Sequence, residues 1–212
     1  MTEEHTSRLT PGRSPSLDKG GQSGSEQGLC QYVRQVQAAI CLIRLGARAS
    51  VAGQLTGLEK KTTKRLYQQL MGEPSPPGQL PYSDNWFLRN DRRQFHITLI
   101  WHLYHRFAPR TGSRAWVLID TFETYLQWVQ EPLLDLHRTA HAIQLFTSGL
   151  WVAHCCRVCN LVFPAPLDNN QHTCPCCRQY QWHLCKRCGL ELSLKLHGVG
   201  RRRCPGCGSS LS

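Results

Sequence analysis

Apolar side chains recur at helical spacing through the first two thirds of the chain. In the first such stretch they follow one another at three- or four-residue steps: Val33, Val36, Ile40 and Ile43. A period of about 3.6 residues is that of an amphipathic helix, so the pattern predicts a helix over residues 31–45 that ends at Gly46. Two shorter helices are predicted at 47–55 and 59–71, and Gly72 stops the second of them.

Three longer helices are predicted after a proline-rich interruption. The interruption, residues 73–78, contains too much proline to form a helix or a strand. Beyond it, apolar periodicity predicts helices at 95–107, 114–129 and 132–148, the last with Pro132 at its first position. These helices are apolar around much of their circumference, which is typical of a helical bundle or of a dimer interface.

The two ends of the chain have a different pattern. Residues 1–28 are mostly Gly, Ser, Pro and charged residues, so we expect a disordered tail there. Near the other end, the leucines at 190, 192, 194 and 196 alternate with polar residues, which predicts a half-buried strand. The changes of pattern divide the chain into a tail (1–28), a helix-turn-helix-like segment (29–72), a linker (73–92), a helical oligomerisation region (93–149) and two cysteine-rich units (150–180 and 181–212).

Charge and hydropathy narrow the range of partners. The chain has 25 Lys and Arg against 14 Asp and Glu, a formal net charge of +11. Residues 150–212 hold eight basic and two acidic residues and are the more basic part, which suggests a polyanionic partner. The longest apolar run, residues 38–43, is far shorter than a membrane span, and the first residues resemble no secretory signal. We therefore expect a cytoplasmic protein with no membrane partner.

Cysteines near the carboxy terminus occur in pairs with metal-ligand spacing. Ten of the twelve cysteines lie between Cys155 and Cys207, and eight of them form four Cys-x-x-Cys pairs. The candidate ligands are Cys156, Cys159, Cys174 and Cys177 in the first unit and Cys185, Cys188, Cys204 and Cys207 in the second. Four thiolates suit tetrahedral Zn²⁺, and a two-residue spacer lets both sulfurs of a pair reach one ion. The predicted fold is therefore mainly α, with a helical domain followed by one or two zinc-ribbon-like units that take Zn²⁺ as cofactor.

Two other interpretations of this region stay open. The pairs could be redox-active dithiols instead of metal ligands. His154 and His172 lie close enough in sequence to replace a cysteine in the first unit, and Cys155 and Cys176 are left over from the pairs.

The segment between Arg48 and Met71 has features of a helix-turn-helix. Gly57 can adopt a positive φ in the turn, and Thr63 stands where an apolar packing residue is usual. The helix after the turn carries four cations on a partly continuous face: Lys60, Lys61, Lys64 and Arg65. A basic second helix approaches phosphates and base edges in the major groove, so these four are candidate contacts to double-stranded DNA.

Catalytic patterns are missing from the sequence. His102 and His105 are three positions apart and His137 and His141 four apart, but neither pair has a third ligand beside it. Phosphate-binding glycine loops, nucleophile elbows and deaminase motifs do not occur. We therefore expect a protein that is not an enzyme.

Several short segments together resemble a known family. They are LGAR at 45–48, KRLY at 64–67, SPPGQLPYSDNWF at 75–87, EPLL at 131–134 and SGL at 148–150. From Val33 to Cys177 the chain resembles the flagellar transcriptional regulator FlhC family. The resemblance implies an all-α protein with one four-cysteine zinc site, carried over onto Cys156, Cys159, Cys174 and Cys177. It also implies a hetero-oligomer with an FlhD-like protein that binds promoter-upstream DNA, contacts RNA polymerase and switches on flagellar operons.

The expected function is therefore that of a DNA-binding subunit of a transcriptional activator. The chain departs from the family pattern in its tail, 1–28, and in its second cysteine unit, 181–212, where a basic tail is expected. An alternative is a zinc-ribbon interaction protein or thiol-redox sensor that binds no DNA sequence. A third class is an RNA-binding zinc protein, although the basic units lack repeated aromatic residues for base stacking.

Overall fold

The computed structural model describes residues 22–77, 83–180, 185, 187–188, 190 and 203–209 of the 212-residue chain. Its elements in chain order are α1 (Gln22–Arg44), α2 (Ala49–Thr56), α3 (Lys60–Met71), α4 (Asn85–Leu88), α5 (Asp91–Phe107), α6 (Arg114–Trp128), α7 (Leu136–Thr147), β1 (Trp151–Cys155), β2 (Val162–Pro166) and α8 (Pro175–Tyr180). The fold is mainly helical, as predicted. Among the described residues, no helix is long and apolar enough to cross a membrane.

The first helix begins earlier than the apolar pattern predicts. α1 starts at Gln22 instead of residue 31, so the end of the segment predicted as a disordered tail, 1–28, is helical. This stretch contains no proline, and its Gln and Glu residues are good helix formers, so the helix extends beyond the apolar positions. The rest of the predicted tail, residues 1–21, lies outside the described residues.

Capping residues set the other helix ends. Gly46, two residues after the end of α1, has a φ of 96°, as the sequence predicts for a carboxy-terminal cap. α5 begins at Asp91, before the predicted start at 95, because Asn90 caps it. The side-chain oxygen of Asn90 accepts the N–H of Arg93 at 2.9 Å, which satisfies one of the free donors of the first turn.

The predicted start of α7 at Pro132 is wrong. The helix begins at Leu136, and Asp135 is its amino-terminal cap: Oδ1 of Asp135 accepts the N–H of Arg138 at 2.7 Å. An aspartate in this position satisfies a free donor of the first turn and is favoured there by the helix dipole. Pro132 therefore lies in the segment that leads into the helix.

One buried hydroxyl holds that leading segment in place. Tyr125 of α6 has no exposed surface, and its oxygen accepts the N–H of Leu133 at 2.9 Å and of Leu134 at 3.2 Å. Because the oxygen accepts both N–H groups, its own proton is directed to Nδ1 of His96 on α5, at 2.7 Å. This hydroxyl therefore joins α5, α6 and the connection to α7.

The main core lies where α5, α6 and α7 pack on one another and α1 packs on α6. Its fully buried side chains include Leu42, Ile43, Ile97, Ile100, Ile119, Leu136 and Trp151. Of the two arrangements predicted for the apolar helices, the structure shows the bundle: Trp101 and Trp116 pack partly buried against the core, although Trp128 stays 58% exposed.

The last described elements form a small unit beside the bundle. β1 and β2 pair antiparallel, with Trp151 opposite Pro166 and Cys155 opposite Val162. Both strands pack near the bundle, β1 against α7 and β2 against α5, and α8 packs on α5. The strand predicted at residues 190–196 lies, apart from Leu190, outside the described residues.

Candidate metal centres and nucleic-acid interface

The first cysteine cluster is assembled by a hairpin and a helix. Cys156 and Cys159 lie in the connection between β1 and β2, whereas Cys174 and Cys177 lie at the start of α8. The four sulfurs are all within 4.8 Å of one another, and Sγ of Cys159 is 3.6 Å from Sγ of Cys174. Three of the four residues are buried and Cys159 is exposed. The unit predicted from spacing therefore exists as one cluster.

Backbone N–H groups point at the sulfurs of this cluster. Sγ of Cys156 accepts the N–H of Val158 at 3.4 Å and of Cys174 at 3.3 Å. Sγ of Cys174 accepts the N–H of Cys177 at 3.3 Å. Such bonds orient metal ligands and favour the charged form of the thiol.

The thiols of the first cluster differ in their acidity. Burial raises the pKa of Cys156, but the backbone N–H groups of Cys174 and then Cys159 outweigh it and lower the pKa to about 6. Burial is the main cause that raises the pKa of Cys174 to about 11. One sulfur of the cluster is therefore ready to ionise near neutral pH, which suits a metal ligand.

The second cluster also brings four cysteine sulfurs together. Sulfurs of Cys185, Cys188, Cys204 and Cys207 lie within 4.8 Å of one another. Sγ of Cys185 is 3.6 Å from Sγ of Cys207, and Sγ of Cys188 is 3.6 Å from Sγ of Cys204. Hydrogen bonds from the backbone and from the Ser209 hydroxyl lower the pKa of Cys185 to about 5.

Three of the four pairs share a backbone pattern. The N–H of the first cysteine donates to the carbonyl five residues on, in the bonds Cys156 to Leu161 (2.9 Å), Cys185 to Leu190 (2.9 Å) and Cys204 to Ser209 (2.8 Å). In two of them the residue after the second cysteine has a positive φ, 59° at Asn160 and 69° at Gly208. The pair at Cys174 differs because Pro175, whose φ suits the first position of a helix, starts α8 there. The first pairs of the two units, which begin at Cys156 and Cys185, therefore share this pattern. The second pairs, which begin at Cys174 and Cys204, differ from each other.

The sulfur positions fit a tetrahedral ion. Four thiolates about 2.3 Å from a central ion stand roughly 3.8 Å from one another. The sulfur–sulfur distances of 3.6 Å in both clusters agree with that spacing. Either cluster could therefore hold a metal ion.

The other residues that the sequence offers as possible ligands lie outside the first cluster. His154 packs its ring against Phe163, and the carbonyl of His172 accepts the N–H of Arg157. The four-sulfur group contains neither histidine, and neither Cys155 nor Cys176 belongs to it. The ligand set predicted from the pairs is the one that the structure brings together.

The first cluster is attached to α5 by polar contacts that sequence analysis missed. Arg178 of α8 bonds to Asp91, Gln94 and the carbonyl of Thr173, and Nε2 of His102 lies 2.7 Å from the carbonyl of Val162. Arg178 and Asp91 are 87 positions apart, so no local pattern could indicate the pair. Of the other histidines on α5 and α7 that the sequence singles out, His105 lies against Trp101 and His141 stacks on Phe87, whereas Nε2 of His137 accepts the N–H of Arg48 at 3.3 Å.

The segment predicted as a helix-turn-helix folds as two helices packed on α1. Gly57 has a φ of 76° in the turn, and its N–H closes α2 on the carbonyl of Gly53 at 2.9 Å. A Cβ on Gly53 would lie 3.1 Å from Oγ1 of Thr63, so α2 and α3 approach closely there. Thr63 is fully buried, and its hydroxyl bonds to the carbonyls of Glu59 and Lys60. Because those bonds satisfy the hydroxyl, a threonine is accepted at a packing position.

One face of α3 packs on the rest of the protein, and the opposite face is exposed to solvent. Thr63 and Tyr67 are buried, and Leu66 and Leu70 pack partly buried against the core. All four predicted cations are exposed: Lys60, Lys61, Lys64 and Arg65. The ion pairs formed by the described residues involve none of the four.

A basic helix that follows a tight turn also occurs in helix-turn-helix DNA-binding proteins. The family profile described as "Flagellar transcriptional activator (FlhC)" matches residues 25–188. The Flagellar transcriptional regulator FlhC of Paraburkholderia atlantica is 34% identical over 148 residues, which cover 68% of each chain. That of Variovorax paradoxus (strain S110) is 32% identical over 69% of this chain and 75% of its own, and that of Enterobacter cloacae subsp. cloacae is 29% identical over 72% and 83%. The chain belongs to the FlhC family of flagellar transcriptional activators.

Proposed function

We propose that this chain is the DNA-binding subunit of an activator complex that switches on flagellar operons together with an FlhD-like protein and RNA polymerase. The observation that carries the proposal is the solvent-facing side of α3, where Lys60, Lys61, Lys64 and Arg65 are all exposed. The family to which the chain belongs supports the regulatory role.

The corner between α2 and α3 supports this role for α3. Thr63 and Tyr67 anchor the inner face, so the helix is presented as a rigid rod with its cations outward. The major groove of DNA admits an α-helix, and lysine and arginine contact both phosphates and guanine edges. α3 is therefore proposed to enter the groove, with its cations on the backbone and base edges.

We assign Zn²⁺ to both cysteine clusters as a structural ion. Bound Zn²⁺ would keep the coordinating thiols deprotonated and cross-link the two pairs of each unit. The protein residues supply the frame: N–H groups orient the sulfurs, and Arg178 holds the first unit on α5. The apolar core of the first unit is small: Phe163 and Ala165 are buried beside the cysteines and Leu161 is partly buried against them, so its folding would depend on the ion.

Exposed apolar side chains on α1 support a requirement for a partner chain. Leu29, Tyr32 and Val33 are 65%, 48% and 46% exposed, at helical spacing on one side of the helix. Contiguous exposed apolar residues of this kind are typical of an interface. The isolated chain is therefore expected to associate poorly with one defined DNA site and to form ill-defined oligomers.

The test combines co-purification with footprinting. Co-expression with an FlhD-like chain should give a discrete complex that protects several helical turns upstream of a flagellar promoter. Each phosphate contact contributes about −0.9 to the slope of log K against log salt, so Lys64→Ala should flatten that slope by roughly one unit on all DNAs. Lys64→Arg keeps the charge and is the matched control.

Two results would contradict the proposal. An unchanged salt slope in Lys64→Ala would move the DNA surface away from α3, for example to the basic residues around Arg203. A soluble monomer that binds one short site tightly on its own would show that no partner is needed.

A further inference from the structure

A basic cleft opens beside the turn that leads into α3. It has a volume of about 540 Å³ and lies between α1, the end of α2 and the start of α6. Its polar lining comes from Arg34, Gln31 and Gln35 on one side and from Arg110, Thr111 and Ser113 on the other, and none of its lining residues is acidic. The cleft is therefore a concave surface with positive charge and hydrogen-bond donors.

Both arginines of the cleft are exposed and available to a ligand. Neither Arg34 nor Arg110 takes part in the ion pairs formed within the described part of the chain. Ser113, the residue ahead of α6, makes no side-chain capping bond, so its hydroxyl is not engaged with the first turn. Two guanidinium groups with hydroxyl and amide donors around them suit the oxygens of a phosphate.

The position of the cleft relates it to the proposed DNA helix. Thr56, the last residue of α2, lines the cleft, and Nε2 of Gln35 lies 3.6 Å from where a Cβ of Gly57 would stand. α3 begins three residues after Gly57, at Lys60. A helix in the major groove has a sugar–phosphate strand on each side, so one strand would run past this turn.

We propose that the cleft binds a backbone phosphate of the DNA strand that borders the groove entered by α3, with Arg34 and Arg110 as its cationic ligands. This inference rests on the proposed function. Trp116, which is half-buried in the lining, offers an apolar surface to a deoxyribose ring. The contact fixes the position of α3 in the groove and carries no base specificity.

The test uses the co-purified complex with its partner and one promoter fragment. Because both arginines would contact one phosphate, the double variant Arg34→Gln/Arg110→Gln should flatten the salt slope of binding by roughly one unit and weaken specific and non-specific DNA binding by the same factor. Arg89→Gln is the control, because Arg89 is also exposed but does not line the cleft, and its slope should match that of the wild type. Thermal melting of each variant establishes that the fold is intact.

Neutral methylphosphonates placed one at a time in the DNA then locate the contact. One phosphate at the edge of the footprint should weaken wild-type binding when neutralised and have no effect on the double variant. If the wild-type complex binds no promoter DNA, the proposed function fails. If it binds and the folded double variant keeps the wild-type slope and phosphate sensitivities, this inference fails alone.

Two further results would also overturn the inference. Saturable binding of inorganic phosphate by the DNA-free complex, lost in the double variant, would make the cleft a site for a free anion. Loss of the partner chain from the double variant during purification would make the cleft a protein interface.

Discussion

Arg178 on α8 donates from Nε to Oδ1 of Asp91 on α5, at a distance of 2.7 Å. Asp91 is the first residue of α5, and the side chain of Arg178 is only 20% exposed. The same guanidinium reaches Gln94, one turn further along α5. A side chain one residue after Cys177, a proposed zinc ligand, therefore ties the first cysteine unit to the helical bundle.

Removing this arginine should loosen the unit from α5 without emptying it of metal. We expect Arg178→Gln to lower the free energy of unfolding by about 1–2 kcal/mol, because a partly buried, charge-assisted contact is lost. Hydrogen exchange of α8 should become faster while the zinc content stays constant. Arg157→Gln is the control, since Arg157 is exposed in the same unit. Equal exchange in the two variants would show that the contact does not hold the unit.

Zinc content should distinguish the cysteines that bind the metal from those that do not. The purified, reduced protein should contain two zinc ions per chain by elemental analysis. Cys159→Ser should remove one of them and unfold residues 150–180 while the helical part stays formed, because only that unit depends on the ion. Cys155→Ser should keep both ions, since Cys155 is exposed and outside the cluster. One ion per chain in the wild type would mean that the second cluster is not a site.

Acid should destabilise the fold partly through His96. Burial, and secondarily the charge of Arg92, lowers the pKa of His96 below its ordinary value. The unfolded chain then binds the proton more readily, so the stabilisation is present above about pH 6.5 and is lost as the pH falls. His96→Gln should flatten the pH dependence of the unfolding free energy below that pH by up to about 1.4 kcal/mol per pH unit.

Chemical denaturation at several pH values measures this effect. Acid also protonates the cysteines, but that contribution is common to the wild type and His96→Gln and cancels in the comparison. His105, His137 and His141 also have lowered pKa values, so a residual pH dependence of the same sign should remain. If the unfolding free energies of the wild type and of His96→Gln changed with pH in parallel, the role of His96 would be contradicted.

Two glycines in helices should respond oppositely to alanine. A Cβ on Gly53 would lie 3.1 Å from Thr63 and 3.3 Å from the carbonyl of Leu58, whereas a Cβ on Gly28 would meet nothing within 4 Å. Gly28→Ala should stabilise the protein by roughly 0.5–1 kcal/mol through helix propensity. Gly53→Ala should instead cost about 1 kcal/mol and weaken DNA binding, because α2 and α3 must move apart. Equal shifts in melting temperature for Gly53→Ala and Gly28→Ala would show that a Cβ fits between α2 and α3.

The helices of the bundle could be predicted because their signal is local. α3 and α6 match their predicted bounds to within one residue, since apolar periodicity and a glycine or turn define them. The start of α7 could not be predicted in this way, because Pro132 gives a strong local signal for a helix start whereas Asp135 forms the actual cap. Capping depends on which side chain the folded chain brings to the free N–H groups.

The candidate site shows the same division between local and distant signals. Cysteine pairs separated by two residues identify the four-cysteine clusters directly from the sequence. The hairpin that carries Cys156 was missed because β2 contains Pro164 and Pro166, which are unusual in a strand. The cleft at Arg34 and Arg110 also has no sequence pattern, because Arg34 lies on α1 and Arg110 in the distant connection between α5 and α6.

The five-residue hydrogen bonds of the cysteine turns have a consequence for synthesis. A turn such as Cys156 to Leu161 closes within a few residues, whereas joining Cys159 to Cys174 requires a loop of 15 positions and a larger entropy loss. At about 5–20 residues per second on the ribosome, the residues of the first turn are made roughly a second before Cys174. The four cysteines of the first unit precede Cys185 along the chain, so they leave the ribosome first and can meet before the second unit is exposed. Vectorial growth therefore guards against the exchange of partners between two units with similar spacing.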